Sequence, residues 1–369
     1  MGSAIAGRLR AAGHRLFLYD PALPPGGEVA PSLAAAAGRS VVTFLCLPDA
    51  AAVEASLPDL RKAAPPMVID LTSSLPATTR RMAAALAPLG VDYLDCPLSG
   101  GIAGARAGTL TAMVGGDKDL VERVTPVLTA FASFVRWAGP LGSGHAIKAL
   151  NNALSAVSLM GTAEMLVTAA AYAADEPAVI AAFNRGAARS QNSEVKYPRD
   201  VLPRTYAAGF TAGLMVKDLG NALRIAGDRL LGVPILGGAL ESWREATEVM
   251  GPDADFTRVH AVVEARAGPR PATAEGFSVD FLARALAGLN LLAAREVVQV
   301  AAAEGLDIDR MLAIVNTSTG RSEATRARLA GEVDSAALTA AVELASRARV
   351  WAPLTGVAAR VASAAGRTT

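Results

Sequence analysis

The chain has 369 residues, of which 52% are hydrophobic, and its 35 basic and 34 acidic residues give a net charge of +1. This length exceeds one ordinary core, so two or three domains are expected, and the balanced charge excludes the basic face of a nucleic-acid binder. No uninterrupted apolar run reaches the roughly 18 residues of a membrane span. Residues 1–15 lack the apolar core of a signal peptide, so the predicted location is the cytoplasm.

The few cysteines and histidines predict neither redox nor metal chemistry. Cys46 and Cys96 both lie in apolar, strand-like runs, and both are predicted to be buried as small hydrophobic residues. His14, His145 and His260 are the three histidines, and they show no metal-ligand spacing. No metal site is therefore predicted.

Residues 1–141 alternate short β-rich runs with helical stretches. The apolar runs are continuous, which is typical of strands buried on both faces of a largely parallel sheet. This pattern predicts a doubly wound α/β domain of the Rossmann-like, dinucleotide-binding type. The strand candidates are residues 16–19, 41–47, 67–71, 92–95, 110–115 and 133–137.

The opening residues predict one edge of a dinucleotide site. Asp20 ends the first strand candidate, where a carboxylate accepts hydrogen bonds from the adenosine ribose, so NAD is favoured while NADP stays open. The alternative is an ordinary turn aspartate. Gly2 precedes Asp20 at a distance along the chain that suits the third glycine of the fingerprint. The first strand and the other two glycines are missing, so we interpret Met1 as an internal Met of a longer gene product, which leaves the activity of the literal chain open.

Two further loops follow strand candidates on the cofactor side. Leu47 and Pro48 come after the second candidate, and Ser73 lies in the loop after the third. In a parallel sheet such loops meet at the carboxyl edge, where ligands bind. These residues are therefore predicted to contact the cofactor, although each loop alone is typical of a strand-ending turn.

From about Ser143 the sequence becomes Ala/Leu-rich and helical, and it contains an internal repeat. Residues 152–196 align without gaps on residues 284–328, and this constant offset pairs Glu164 with Glu296. A fixed offset indicates a duplication. We therefore predict an all-α domain over 142–266 and a degenerate second all-α copy over 276–365, separated by the stiff break Gly268-Pro269-Arg270-Pro271.

Three motifs suggest a particular enzyme family. They are DCPLSGGIAGARAGTLTAMVGGD at 95–117, GPLGSGHAIKALNNAL at 139–154 and GFTAGLMVKDLGNAL at 209–223. Together with the MG…AGH…YD opening, they resemble the β-hydroxyacid dehydrogenase family, which includes 3-hydroxyisobutyrate, tartronate semialdehyde and threonate dehydrogenases. The resemblance covers about residues 1–266. It implies hydride transfer between NAD(P) and a small, carboxylate-bearing β-hydroxy acid.

The glycine pair in the first motif suits an anion. Without side chains, the backbone N–H groups of Ser99, Gly100 and Gly101 can approach a ligand closely. The resemblance implies that they hold the substrate carboxylate. The alternative is a glycine-rich turn with no ligand.

The second motif supplies the candidate catalytic residues. Lys148, Asn151 and Asn152 lie on a helix predicted to be capped near Ser143, and positions 148 and 152 share a face. The resemblance implies that Lys148 is the general acid/base and that Asn152 orients it, while Asn151 contacts the substrate. A lysine that acts as a base must be neutral, which requires a lowered pKa. The alternative is a solvated surface lysine.

The third motif adds a second lysine. The resemblance places Lys217 near the cofactor or the substrate anion, where its charge would help to lower the pKa of Lys148, and it makes Asp218 structural. His145 is set aside because the family motif varies at that position.

The second helical copy lacks these motif residues, since the repeat offset places Asp280 opposite Lys148. We expect residues 276–365 to pack on residues 143–266 with pseudo-twofold symmetry, replacing a partner subunit's domain as in 6-phosphogluconate dehydrogenases. A homo-oligomer stays open. The rival hypotheses are a non-catalytic truncated homologue or cofactor-binding scaffold, an imine reductase, and a decarboxylase of sugar-phosphate acids.

Overall fold

The computed structural model describes residues 1–269 and 276–365, which fold into two compact units, Met1–Lys148 and Ala149–Thr369. Arg270 and Pro271, which belong to the predicted break between the helical copies, lie outside the described residues.

The first unit contains a six-stranded sheet with helices on its two faces. Its strands are β1 Val42–Leu45, β2 Met67–Asp70, β3 Asp92–Asp95, β4 Leu98–Ser99, β5 Leu110–Gly115 and β6 Ala132–Gly139. Its helices are α1 Gly2–Ala11, α2 Leu33–Ala37, α3 Ala50–Ala55, α4 Leu57–Ala63, α5 Pro76–Leu86, α6 Gly101–Ala107 and α7 Lys118–Leu128, with a 3-10 turn at Ala87–Leu89.

Both faces of the sheet are buried, as a doubly wound domain requires. Successive residues of a strand point to opposite faces, so Ile69 packs in one apolar cluster with Ile5, whereas Val68 packs in another with Leu60 and Met82. The predicted Rossmann-like α/β fold of this half is confirmed.

The strand directions differ from the prediction in one respect. The order is β1-β2-β3-β5-β4 with β6 beside β5, and the β1–β2, β2–β3 and β5–β6 pairs are parallel. β5, however, runs antiparallel to β3 and β4. The chain reverses in the segment that holds β4, where Leu98 pairs with Ala112, so the sheet is mixed rather than largely parallel.

Two local predictions about the first unit were wrong. Residues 16–19 form only one bridge, Leu18 to Val29, because Leu18 exchanges its backbone hydrogen bonds with Glu28 and Ala30 of the adjoining segment. Cys46 is exposed because β1 ends one residue earlier, at Leu45, whereas Cys96 is fully buried as expected.

The second unit is helical, and residues 140–269 and 276–365 contain no strand in the structure. The all-α character predicted for this half is confirmed. Its helices are α8 Ser143–Ala171, which begins in the first unit, α9 Glu176–Arg185, a π-helix Asn192–Val201, α10 Ala212–Asp228, α11 Pro234–Met250, a 3-10 turn Phe256–Arg258, α12 Val259–Ala265, α13 Val279–Ala303, α14 Ile308–Val315, α15 Glu323–Arg326, α16 Ser335–Arg347 and α17 Pro353–Ala365.

Two of these helices are long and apolar enough to cross a membrane by length and composition alone. They are α8 and α13, and the apolar windows in them are 94% and 67% buried inside the protein. That burial is typical of core helices, and both sequences are largely apolar because they pack against other helices.

Reciprocal contacts join residues 149–269 to residues 276–365 within the second unit. Glu164 of α8 accepts hydrogen bonds from the first N–H groups of α17, and Glu296 of α13 accepts them from the first N–H groups of α11. Ser190 bridges Ser322 in the same reciprocal manner, and the repeat offset that pairs the two glutamates also pairs these two serines.

Candidate functional site

The loops after β1 and β2 lie side by side. The Leu47 N–H donates a 3.1 Å hydrogen bond to Thr72 Oγ1, while Pro48 is exposed and Ser73 is half-buried. In the same loop Ser74 Oγ is buried and has no hydrogen-bond partner among the described residues. An unpaired buried hydroxyl beside an exposed loop fits a ligand at the carboxyl end of parallel strands, where this fold binds nucleotides.

Asp20 and Gly2 lie at the surface of the first unit. Asp20 is exposed and its Oδ1 accepts a 2.9 Å hydrogen bond from the Ala22 N–H, which is the turn geometry of the alternative interpretation. A Cβ added at Gly2 would lie 3.8 Å from Cys46 Cβ, an ordinary van der Waals contact. Helix α1 therefore does not need glycine on steric grounds at this position.

The Ser99-Gly100-Gly101 turn links β4 to α6. Ser99 is buried and pairs with Thr111 of β5, and both glycines have positive φ, +126° and +65°. A Cβ on Gly100 would also lie only 3.0 Å from Leu110 Cδ2. Since L side chains rarely adopt this backbone, the turn needs both glycines to keep its shape.

The N-terminus of α8, predicted to be capped near Ser143, is capped by Asp95 at the end of β3. Asp95 Oδ1 accepts a hydrogen bond from the Gly142 N–H at 2.7 Å, and Oδ2 accepts one from the His145 N–H at 2.8 Å. Gly144 permits this approach, because a Cβ there would lie 2.8 Å from Asp95 Oδ2 and would overlap a carbonyl oxygen of β5. The carboxylate accepts hydrogen bonds from N–H groups that have no partner within the helix, and its negative charge interacts favourably with the positive end of the helix dipole.

His145 belongs to a buried polar cluster at the start of α8. Its Nδ1 lies 2.7 Å from Thr79 Oγ1 and 4.0 Å from Asp95 Oδ2, and its Nε2 lies 4.0 Å from Asp70 Oδ2. Burial raises the pKa of Asp70, and the neighbouring His145 opposes that rise. The cluster therefore ties the first turn of α8 to the ends of β2 and β3.

Lys148 lies one turn further along α8 and is only 7% exposed. The surface-lysine alternative does not describe this residue, because a solvated lysine leaves its ammonium group in water. Positions 145 and 148 share a face of the helix, so the anchored first turn fixes the backbone from which Lys148 projects.

The two asparagines and the third motif form a chain of polar contacts in the second unit. Asn151 Nδ2 donates to Asn152 Oδ1 at 3.1 Å, and Asn152 Nδ2 donates to Asp218 Oδ2 at 2.5 Å. Lys217 Nζ lies 3.4 Å from Asp218 Oδ1. Asp218 therefore has a structural role, because it fixes the side-chain amide of Asn152.

Comparisons with known proteins agree with this arrangement. Residues 1–139 match the family described as the NAD binding domain of 6-phosphogluconate dehydrogenase, and residues 142–263 match that described as NAD-binding of NADP-dependent 3-hydroxyisobutyrate dehydrogenase. The NAD-dependent L-serine dehydrogenase of Pseudomonas aeruginosa is 32% identical over 73% of this chain and 96% of its own length. The chain belongs to the β-hydroxyacid dehydrogenase family.

This dehydrogenase is also similar to proteins of known structure. A Mycobacterium tuberculosis 3-hydroxyisobutyrate dehydrogenase with L-serine matches with a TM-score of 0.66 and 28% identity, over 71% of this chain and 95% of its own. The 6-phosphogluconate dehydrogenase of Plasmodium falciparum shares the fold over 89% of this chain and 79% of its own, with a TM-score of 0.61 and 16% identity. The protein is an NAD(P)-dependent oxidoreductase, which confirms the predicted family, enzyme class and cofactor.

Sequence reasoning missed two groups of residues in the dehydrogenase. Asp95 carried a signal, since an acidic residue ends β3 and Gly142 and Gly144 flank the start of α8. Thr319 and Gly320, which contact Asn151, carried none, because they lie in the turn between α14 and α15, outside the three motifs.

Proposed function

We propose that this dehydrogenase transfers a hydride between NAD(P) and a small β-hydroxy acid, with Lys148 Nζ as the general acid/base. The burial of Lys148 on a helix anchored by Asp95 carries the proposal. A buried, fixed amine can take the substrate hydroxyl proton during oxidation and return it during reduction. The nicotinamide, when bound, accepts or gives the hydride.

The remaining motif residues orient the substrate. The backbone N–H groups of Ser99, Gly100 and Gly101 bind its carboxylate, and the shape that these glycines impose on the turn supports that role. Asn152, whose amide is fixed by Asp218, orients Lys148 and the reacting hydroxyl. Asn151, predicted to contact the substrate, has its amide engaged by Asn152, Thr319 and Gly320, so it acts on the substrate site through Asn152. Relatives named for L-serine and 3-hydroxyisobutyrate support a substrate of similar size.

The cofactor lies against the loops after β1 and β2. Leu47, Pro48 and Ser73 form that surface, with Gly2 at the start of α1. For Lys217, the match of its motif to the family supports a role in binding the cofactor or the substrate anion. The unpaired Ser74 hydroxyl supports this assignment. The cytoplasm remains our proposed location.

The assay for this function measures NAD(P)H formation with a panel of small hydroxy acids, including 3-hydroxyisobutyrate, serine and threonate. Activity on at least one of them is expected. A protein that binds NAD(P) but oxidises none, and reduces none of the corresponding aldehydes, would instead be the non-catalytic scaffold.

Asp20 favours NAD over NADP in this proposal, because a 2′-phosphate would meet its negative charge. Replacing it by serine should lower the ratio of kcat/KM for NAD to that for NADP by about tenfold, since the repulsion disappears. Steady-state kinetics with both cofactors measures the ratio. Asp49→Ser is the matched control, since Asp49 caps α3 after the next strand. An unchanged ratio in Asp20→Ser would show that Asp20 is only a turn residue.

The helical range 276–365 is a degenerate copy of the range 142–266 and replaces a partner subunit's domain. The crossed contacts of Glu164 and Glu296, and the bridge between Ser190 and Ser322, support a pseudo-twofold relation. The fold shared with a 6-phosphogluconate dehydrogenase over 89% of the chain supports it as well.

A further inference from the structure

The turn between α14 and α15 contacts Asn151 of α8. Asn151 Nδ2 donates to Thr319 Oγ1 at 2.9 Å, and the Gly320 N–H donates to Asn151 Oδ1 at 2.9 Å. Asn151 is completely buried, and its other amide hydrogen is directed to Asn152 Oδ1. Both donors and the acceptor of this amide are therefore engaged within the protein.

Gly320 is needed for this contact. A Cβ at position 320 would lie 2.5 Å from the Asn151 carbonyl oxygen and 2.8 Å from its Oδ1, closer than real Cβ contacts. Any side chain would push the turn away from α8. The backbone of the second helical range thus touches the motif helix at this point.

The contact fixes the direction of the next amide along the chain of hydrogen bonds. Because Gly320 and Thr319 hold Asn151 with its Nδ2 towards Asn152, the Asn152 oxygen faces Asn151 and its nitrogen faces Asp218. If the Asn152 amide were flipped, its Nδ2 would face the Asn151 Nδ2, so two donors would oppose each other. Its Oδ1 would then face the Asp218 carboxylate, so two acceptors would oppose each other as well.

On the other side of the pseudo-symmetric pair the equivalent turn is contacted differently, since Asn290 Nδ2 of α13 donates to the Ala188 carbonyl at 3.5 Å. At the repeat offset that pairs Glu164 with Glu296, Asn151 corresponds to Ala283 and Thr319 corresponds to Ala187, so the equivalent pair has only methyl side chains. Packing of the two helical ranges therefore does not require these polar groups. Of the positions paired by the offset, Asn151 and Thr319 lie on the side that carries the Lys148 motif, and alanines stand on the other side.

We propose that Thr319 and Gly320 are positioning residues of the active site, which act through Asn151 on the amide of Asn152. Under this proposal, which rests on the proposed function, the degenerate copy completes the active site although it has lost its own motif. Contact with Thr319 and Gly320 then fixes the side chain of Asn151 on the catalytic helix, and Asn151 in turn orients Asn152.

Thr319→Val removes the hydroxyl while it keeps the side chain's size, so it leaves one buried Asn151 N–H without an acceptor. We expect kcat to fall about fivefold to tenfold with KM within about twofold, and Thr319→Ser to restore kcat. Thr317→Val is the matched control, because the Thr317 hydroxyl donates to the Ile314 carbonyl of the helix that it follows. If Thr319 only stabilised the fold, Thr319→Val would lower the melting temperature but would not lower kcat while leaving KM unchanged.

A second measurement tests the positioning role of Thr319 without an activity assay. In ¹⁵N spectra of the full chain, Thr319→Val should shift the side-chain amide signals of Asn151 and Asn152, assigned with Asn→Asp variants, whereas Thr317→Val should not. Unmoved amide signals, or equal kinetics in Thr319→Val and Thr317→Val, would overturn the inference. If the wild-type protein oxidises no hydroxy acid, the proposed function fails, and the amide signals alone decide whether Thr319 positions Asn152.

Discussion

Replacing Lys148 by alanine is expected to lower kcat for hydroxy acid oxidation by about 10³-fold, within the range that general acid–base catalysis contributes. The substrate hydroxyl proton would then have no acceptor at position 148. Binding of NAD(P)H, measured by its fluorescence, should stay within about twofold, because the cofactor-binding loops follow β1 and β2. Lys118→Ala is the matched control, since Lys118 is exposed and pairs only loosely with Glu122 at 3.7 Å.

Lys148→Arg separates charge from proton transfer. Arginine keeps the positive charge, but it does not lose a proton in proteins, so this variant should remain as inactive as the alanine variant. Full recovery of activity with arginine would show that Lys148 acts only as a fixed charge. Activity near the wild-type level in Lys148→Ala would remove the general acid/base from the proposal.

The parts of the site that could be predicted were those encoded by nearby residues. The Gly100-Gly101 turn and the spacing of Lys148 and Asn152 depend on a few consecutive positions, and the structure places them on a tight turn and on one helix. The sheet was predictable for the same reason, since each strand is a continuous apolar run. The reversal of β5 was not, because strand direction depends on how the segment with β4 folds back.

The contacts that hold the site together join residues that are far apart in the sequence, so short stretches of sequence give little indication of them. Asp95 and His145 are 50 positions apart in the sequence, and Asn151 and Thr319 are 168 apart. A cap is normally sought in the residue before a helix, so the sequence predicts a cap near Ser143. The acidic residue at the end of β3 and the glycines at 142 and 144 are a sequence signal for a cap from another element, but they do not show that Asp95 reaches this helix.

The fixed offset of the internal repeat is more informative, because it pairs Glu164 with Glu296 across the two helical ranges. Both are glutamates on long apolar helices, where an unpaired carboxylate would be costly. The structure gives each a partner in the other helical range: the first N–H groups of α17 for Glu164 and those of α11 for Glu296. The pairing explains why a buried glutamate is tolerated at both positions.

Removing one of these caps should have the largest effect on stability. Glu164 is completely buried and accepts hydrogen bonds from the N–H groups of Leu354 and Thr355 at 3.0 and 2.8 Å, and from the Thr355 hydroxyl. Glu164→Ala would leave these donors unsatisfied beside a cavity. We expect the free energy of unfolding to fall by about 3 kcal/mol in denaturant titrations. Glu332→Ala, at an exposed position, should change it by less than about 0.5 kcal/mol.

The same carboxyl group should make stability depend on pH. Burial raises the pKa of Glu164 from 4.5 to about 7 in the folded protein, although the hydrogen bonds from Leu354 and Thr355 oppose the rise. The folded state therefore binds this proton more tightly than the unfolded chain does. The resulting stability is present below about pH 4.5 and is lost as the pH rises towards 7.

Glu164→Gln isolates this contribution, because glutamine keeps the size of the side chain but does not titrate. Relative to this variant, the wild-type protein should be more stable at pH 5 than at pH 8 in paired denaturant titrations. Glu296 shows the same rise in pKa to about 7, so Glu296→Gln should reduce the slope in the same direction, and the double variant should reduce it further. A slope that is identical in the wild-type protein and both single variants would mean that the crossed glutamates do not hold these protons. They would then stabilise the two helical ranges as carboxylates throughout.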